Sequence, residues 1–255
     1  MNHDMIELTL ILPAYNEVKA IAKTIAETQT WLDQKGVSYE IIVSADGTDG
    51  TREWVAELAK TDPRLRVIGS PERKGKGHGV RQAVLLARGK IIGFTDADNK
   101  TPITELEKIF PCFEQGYEIV IGSRSLKTSQ VIRRQPFYRR VGSIGFGYFI
   151  RNVTGIRDII DTQCGFKFFK REVALDLFRK QQIEGYMFDV EILYLAKRAG
   201  YRLKQIGVVW RNDEDSRLVL VRGNIQNVLD ILKIRFGRQR KENIEKDLRS
   251  DKADE

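Results

Sequence analysis

The chain has 255 residues, 42% of them hydrophobic and 31% charged, the composition of a folded domain with room for one good core and an appendage. No apolar run reaches the roughly 20 residues that a membrane-spanning helix needs. The opening Met1-Asn2-His3-Asp4 lacks a signal-peptide pattern, and Cys112 and Cys164 make neither a disulfide framework nor a zinc site, so the expected setting is cytosolic. The formal net charge of +8 points to anionic partners: nucleotides, phosphates, nucleic acid or a membrane surface. Two stretches are conspicuously basic, Arg133-Arg134 through Arg139-Arg140 and Lys233 to Lys241.

In chain order, Leu8 to Leu12 reads as a buried strand and Ala20 to Leu32 as a helix. Ile41 to Val43 is a second strand, followed by a helix from Thr51 to Leu58. Leu65 to Ile68 and Val80 to Ala87 repeat the cycle, and Ile91 to Thr95 is a fourth strand. A helix from Pro102 to Phe113 leads to a fifth strand at Glu118 to Ile121. This alternation predicts an α/β fold, a mainly parallel sheet sandwiched by helices, with ligands beyond the carboxyl ends of the strands. The second half is less regular. Gly122 to Pro136 reads as a polar loop and Phe137 to Val153 as a glycine-interrupted apolar segment. Gly165 to Phe169 reads as a strand, Arg171 to Phe178 and Phe188 to Arg198 as helices, and Tyr201 to Trp210 as a late strand. Residues 1–220 are expected to form one domain and 221–255 a basic C-terminal amphipathic helix with a charged, frayed end. In that helix Ile225, Val228, Leu229, Leu232 and Phe236 fall at helical spacing.

The strand ends hold the candidate chemistry. Thr95-Asp96-Ala97-Asp98 closes the fourth strand, and residues i and i+2 of an extended chain point to one side. Asp96 and Asp98 would therefore converge on one hard cation, Mg²⁺ or Mn²⁺, able to neutralise a diphosphate leaving group. The competing reading, a helix cap, is weakened because Thr101 before Pro102 already offers a cap and a first-turn proline. The first strand runs into Pro13-Ala14-Tyr15-Asn16-Glu17, an aromatic face beside polar groups. The second runs into Asp46-Gly47, where Asp46 is either a nucleobase acceptor or a turn residue. Asp49 reads as a helix-start residue. After the third strand, Arg73-Lys74-Gly75-Lys76-Gly77-His78-Gly79 combines charge with glycines that permit close approach to phosphate or ribose. It matches neither a Walker loop nor a dinucleotide fingerprint, and His78 reads as facing solvent or packing.

Taken together and in this order, these segments, with Gly122-Ser123-Arg124, Asp161-Thr162-Gln163-Cys164-Gly165-Phe166-Lys167 and Phe188-Asp189-Val190-Glu191, resemble the family-two glycosyltransferases of GT-A fold. The second half is similar to the dolichyl-phosphate β-glucosyltransferase branch, which neighbours the dolichyl-phosphate mannose synthases, and the resemblance covers roughly residues 6 to 220. It implies inverting transfer of a sugar, glucose foremost, from a UDP-sugar to a polyprenyl phosphate on an anionic membrane surface. By that pattern Pro13, Tyr15, Glu17 and Asp46 hold the nucleoside and Asp96 and Asp98 the metal-diphosphate, while Lys76 reads from its own loop as a phosphate or ribose contact. Arg124 lies near the phosphates, Arg139 and Ser143 near the acceptor phosphate, and Arg211, Ser216 and Arg217 close over the diphosphate. Three positions depart from the pattern: Ala45 stands where the family carries a first aspartate, Glu214 where it carries glycine and Arg217 where it carries lysine.

Asp189 and Glu191 are the acids available for acceptor or sugar contacts, or else helix-start residues favoured by the macrodipole. A hydroxyl acceptor, soluble, glycan or protein, is the alternative enzymatic reading, with Asp189 as base. A binding module for nucleotide-sugars or nucleic acid is the non-enzymatic one. The aromatic-basic interleaving of an RNA reader is not evident, so no nucleic-acid partner is expected.

Overall fold

Leu8-Thr9-Leu10-Ile11-Leu12 carries apolar residues on both alternating faces, which only a strand covered on both sides can bury. It opens β1 (Leu8–Tyr15), whose first five residues are all buried. The computed structural model describes residues 6–132, 137–211 and 222–237, with the backbone alone at 137–141, 143 and 222–224. The other strands are β2 (Tyr39–Asp46), β3 (Leu65–Ile68), β4 (Ile91–Thr95), β5 (Ile119–Ser123), β6 (Gln130–Ile132), β7 (Phe166–Lys170), β8 (Leu203–Gly207) and β9 (Val209–Arg211). Seven of them form one sheet in the order β3-β2-β1-β4-β7-β5-β8, and β6 pairs separately with β9.

Helices cover both faces. On one, Leu10 and Leu12 of β1 pack with Ile21 and Ile25 of α1 (Val18–Lys35) and Val55 of α2 (Thr51–Leu58). On the other, Ile11 packs with Val80 of α3 (Lys76–Leu86), and the same cluster reaches α5 (Phe137–Thr154), α6 (Arg171–Arg179) and α7 (Phe188–Ala199). Ile231 and Ile234 tie α8 (Arg222–Leu232) and the π-helical turn after it (Lys233–Gly237) to that cluster, while Ile225, Leu229, Leu232 and Phe236 are exposed.

Two features of the topology place the site. The chain turns outward from β1 through β2 to β3 and returns to β4 on the other side of β1. This reversal opens a crevice beyond the carboxyl ends of β1 and β4. In addition, β7 runs antiparallel between β4 and β5, with Thr95 opposite Phe166. Its amino end therefore lies beside the carboxyl ends of its neighbours, and the string from Asp161 to Gly165 arrives at the same crevice.

Some expectations need correcting. The helix expected over Pro102 to Phe113 is a 3-10 turn (Ile103–Lys108) followed by a short α4 (Phe110–Glu114). Pro111 lacks the N–H that a continuous α-helix would donate to the Glu107 carbonyl. Pro102, not Thr101, occupies the cap position, and no side chain caps the turn. The late strand divides into β8 and β9, and the loop after Gly122 contains β6. Ser216 and Arg217, with Glu214 and the charged end beyond Lys241, lie outside the described residues.

Candidate active site

Asp96 follows the last residue of β4, where its amide donates to the Gly165 carbonyl at 3.2 Å. The chain then turns: Asn99 takes a left-handed conformation (φ 52°) and its N–H returns to the Asp96 carbonyl at 3.2 Å. Asp96 and Asp98 therefore sit on a turn, and the same-side argument for an extended chain does not apply to them. Each carboxylate meets its own ammonium, Lys76 Nζ on Asp96 Oδ1 at 2.6 Å and Lys100 Nζ on Asp98 Oδ2 at 2.7 Å. Burial alone would raise the Asp96 carboxyl and lower the Lys76 ammonium. The pair's mutual attraction outweighs it, holding Asp96 below the usual carboxylate range and Lys76 above the usual lysine range. Lys167 and Arg124 also stabilise the Asp96 charge, and Asp189 and Asp98 that of Lys76. Six of these seven charged groups, all but Lys100, thus share one field around the Asp96–Lys76 pair.

Arg124, just beyond β5, is fixed by Asp161: its backbone N–H, Nε and Nη2 donate to that carboxylate at 2.9, 2.8 and 2.9 Å. Burial would raise the Asp161 carboxyl, but the guanidinium holds it below its ordinary 3.8. Its stabilisation is therefore present above that value and lost as pH falls through the lower folded value. Arg124→Ala strands a buried carboxylate and should cost about 3 kcal/mol at neutral pH. Urea denaturation should show parent and variant converging as the pH falls below 3.8; a constant gap would assign the loss to packing. Asp189, on the first turn of α7, is buried and paired with Lys167 Nζ at 2.6 Å, which also donates to the Cys164 carbonyl at 2.6 Å. Burial pushes the Cys164 thiol up to about 12, so it stays protonated and inert.

On the nucleoside side, Pro13 is tolerated in β1 because the ladder to β4 ends at Ile11. Tyr15 is exposed at the end of that strand, with the Arg73 guanidinium over its ring at 4.4 Å and bonded to the Tyr186 hydroxyl at 2.8 Å. The Glu17 amide, at the start of α1, donates to Thr51 Oγ1 at 3.0 Å. Asp49 accepts the amides of Val18 and Thr51, both at 3.0 Å, so it serves two helix starts. Asp46 accepts the Ser70 and Lys74 amides at 3.2 and 2.8 Å and pins the loop that carries Arg73. Gly75 and Gly77 are approached by this chain's own backbone: a Cβ on Gly77 would lie 2.6 Å from the Ile183 carbonyl oxygen, and one on Gly75 3.0 Å from the Glu184 carbonyl carbon. The close approach expected for a phosphate is made there by the segment before α7. His78 packs by its Nδ1 against Glu184 at 3.4 Å.

The remaining sites are more dispersed. Arg139 and Ser143 lie one turn apart on the backbone of α5. Arg211 ends β9, and its amide bonds the Lys100 carbonyl at 2.8 Å, which brings β9 to the Asp98 turn. Glu191 is buried, and its carboxylate accepts the backbone amides of Gln182 and Ile183. The buried Lys167, the Lys100 partner of Asp98 and the Arg73–Tyr186 contact are absent from the sequence-based site. Lys167 had a signal, a lysine among phenylalanines in a strand buried on both faces.

A divalent cation fits the donor set at this turn. Among the described residues no group of three or more acids, histidines or cysteines gathers into a protein-only cage. Two carboxylate side chains with the remaining positions left to phosphate and water is the arrangement Mg²⁺ favours in phosphate-binding enzymes.

Comparison with known proteins agrees with this geometry. The sequence model of the family described as Glycosyl transferase family 2 matches residues 9–178. The dolichyl-phosphate β-glucosyltransferase of Dictyostelium discoideum is 34% identical over 91% of this chain and 75% of its own length. That of Saccharomyces cerevisiae is 33% identical over 90% and 74%. Glucosyl-3-phosphoglycerate synthase from Mycobacterium tuberculosis, solved with Mn²⁺, UDP-glucose and phosphoglyceric acid, superposes with a TM-score of 0.63 at 21% identity, covering 91% of this chain and 80% of that one.

Proposed function

We infer the reaction from one premise: this chain belongs to glycosyl transferase family 2. It is a glucosyltransferase of GT-A fold. We propose that it moves glucose from UDP-glucose to the phosphate of a dolichyl-type polyprenyl lipid, giving a β-linked lipid-phosphate sugar, as relatives named dolichyl-phosphate β-glucosyltransferases support. The observation that carries this reading is the charge cluster at the β1/β4 crevice, with Asp96 between Lys76 and Gly165 and Arg124 locked by Asp161.

The chemistry follows from the acceptor. A phosphate monoester is already anionic near neutral pH, so the protein's tasks are positioning and electrostatic stabilisation. One phosphate oxygen attacks the anomeric carbon from the face opposite the UDP oxygen, which leaves with the bonding electrons, so an α-linked donor yields a β-linked product. A Mg²⁺ or Mn²⁺ ion on Asp96 and Asp98 would neutralise the diphosphate. Lys76 and Arg124 supply fixed positive charge toward it, and the Lys167-paired Asp189 serves to orient the sugar hydroxyls. Tyr15 offers a ring face to the base, beside Pro13, Glu17 and Asp46. Arg139 and Ser143 take the acceptor phosphate, and Arg211, with Ser216 and Arg217, the diphosphate.

An anionic membrane surface is the partner through which the lipid arrives, on the cytosolic side. No helix among the described residues is long and apolar enough to cross a membrane. Two helices instead expose apolar side chains, Ile144 and Tyr148 on α5 and Ile225, Leu229 and Phe236 along α8 and its following turn. The two helices pack together, and Lys233 and Arg235 add positive charge beside Phe236. Leu229→Asp should lower transfer to dolichyl phosphate in anionic vesicles roughly tenfold by losing one leucine's insertion into the bilayer, with UDP affinity unchanged. Undiminished transfer in vesicles would remove this face from the account.

A further inference from the structure

We propose that Glu191 is a positioning residue for Lys76, acting through the backbone of residues 181–184. The inference rests on the reading that Lys76 faces the donor diphosphate.

Glu191 lies on the first turn of α7, where a carboxylate ordinarily complements the helix dipole. Here it is buried and turned onto another segment. Both its oxygens accept the Gln182 amide, at 3.0 and 2.9 Å, and Oε2 also accepts the Ile183 amide at 2.7 Å. The other edge of that segment is laid against the start of α3, which has no side-chain cap. The Glu184 carbonyl accepts the His78 amide at 3.1 Å, one of the donors a helix start leaves without an internal partner. Gln181 Nε2 donates to the Gly77 carbonyl at 2.9 Å and to the Ile183 carbonyl at 2.7 Å.

The two glycines that flank Lys76 are the positions where this contact is tightest. A Cβ on Gly77 would stand 2.6 Å from both the Ile183 oxygen and Phe188 Cβ, and Gly75 takes a φ of 113° against Glu184. Lys76 is thus fixed on both sides by a segment suspended from Glu191, and its ammonium reaches Asp96 at 2.6 Å. Without an anionic acceptor for the Gln182 and Ile183 amides, the segment loses its anchor, and the first turn of α3 loses the surface that sets it.

The test separates this role from a purely structural one by comparing ligands with and without phosphates. Calorimetry with Mg²⁺ should show Glu191→Gln binding UDP about tenfold more weakly, the scale of hydrogen bonds to a charged group, and binding uridine as the parent does. Lys76→Met should lose UDP affinity alone, and the double variant should lose no more than Lys76→Met. Gln181→Leu, which removes the bonds to Gly77 and Ile183 while keeping Glu191, should show the same UDP-selective loss and serves if Glu191→Gln does not fold. Equal loss of uridine and UDP, or additive losses in the double variant, would overturn the proposal. Unchanged UDP affinity in Lys76→Met would instead overturn the diphosphate role of Lys76, on which it depends.

Discussion

Asp96→Asn should lower transfer roughly a hundred- to a thousandfold, the scale of losing one electrostatic stabiliser of a developing negative charge, here the cation that Asp96 would hold, with the fold unchanged. The carboxamide has the shape of the carboxylate and can still accept from Lys76, so the β4 turn and its amide bond to Gly165 remain. On the proposed role, what is lost is the anionic ligand for a divalent cation. Chelation of the parent enzyme should give a comparable loss, restored by Mg²⁺ or Mn²⁺. The check is the initial rate at saturating donor, with circular dichroism to confirm the fold. A rate within a few-fold of the parent, in the variant or in chelator, would remove Asp96 and the metal from the chemistry.

Gly165→Ala should be nearly as damaging, although it adds one methyl to a residue with no charge. A Cβ at Gly165 would lie 2.5 Å from Asp96 Cγ and 2.6 Å from Oδ1, so the carboxylate and the new methyl cannot occupy their places together. The backbone at Gly165 is outside the left-handed region, so alanine is not excluded by conformation. The clash is relieved by rotating Asp96 away, which breaks its 2.6 Å contact with Lys76. Displacing a reacting group by about 1 Å can cost a hundredfold. Transfer should fall by about that factor, with thermal stability lowered less than by a large core substitution. Parent-like turnover would mean that Asp96 works in another rotamer.

The sheet and its site were legible where local signals agree. Apolar runs ending in Pro13, Asp46 and Asp96 mark parallel strands covered on both faces, and these three residues stand at the carboxyl ends of β1, β2 and β4. What escaped depends on which segments meet. Nothing in Phe166-Lys167-Phe168-Phe169 says that β7 runs antiparallel, yet that direction brings Asp161, Cys164 and Gly165 to Asp96. Asp46 is a turn acid in the sequence, but in the structure it is the anchor of the Ser70 to Lys74 loop. The glycines around Lys76 signal close approach without naming the partner, which is the backbone at Ile183 and Glu184. Pro111 was a readable signal: it ends the helical reading that an unbroken apolar period suggests.

The most direct test of the central claim is the product itself. Purified enzyme, UDP-glucose labelled with ¹³C at the anomeric carbon, Mg²⁺ and dolichyl phosphate in anionic vesicles should yield label in the organic phase. NMR of that lipid should show one glucose joined through phosphate in the β configuration, formed by a single displacement at a site built on Asp96. Label released only as free glucose, or an α-linked product, would contradict the account.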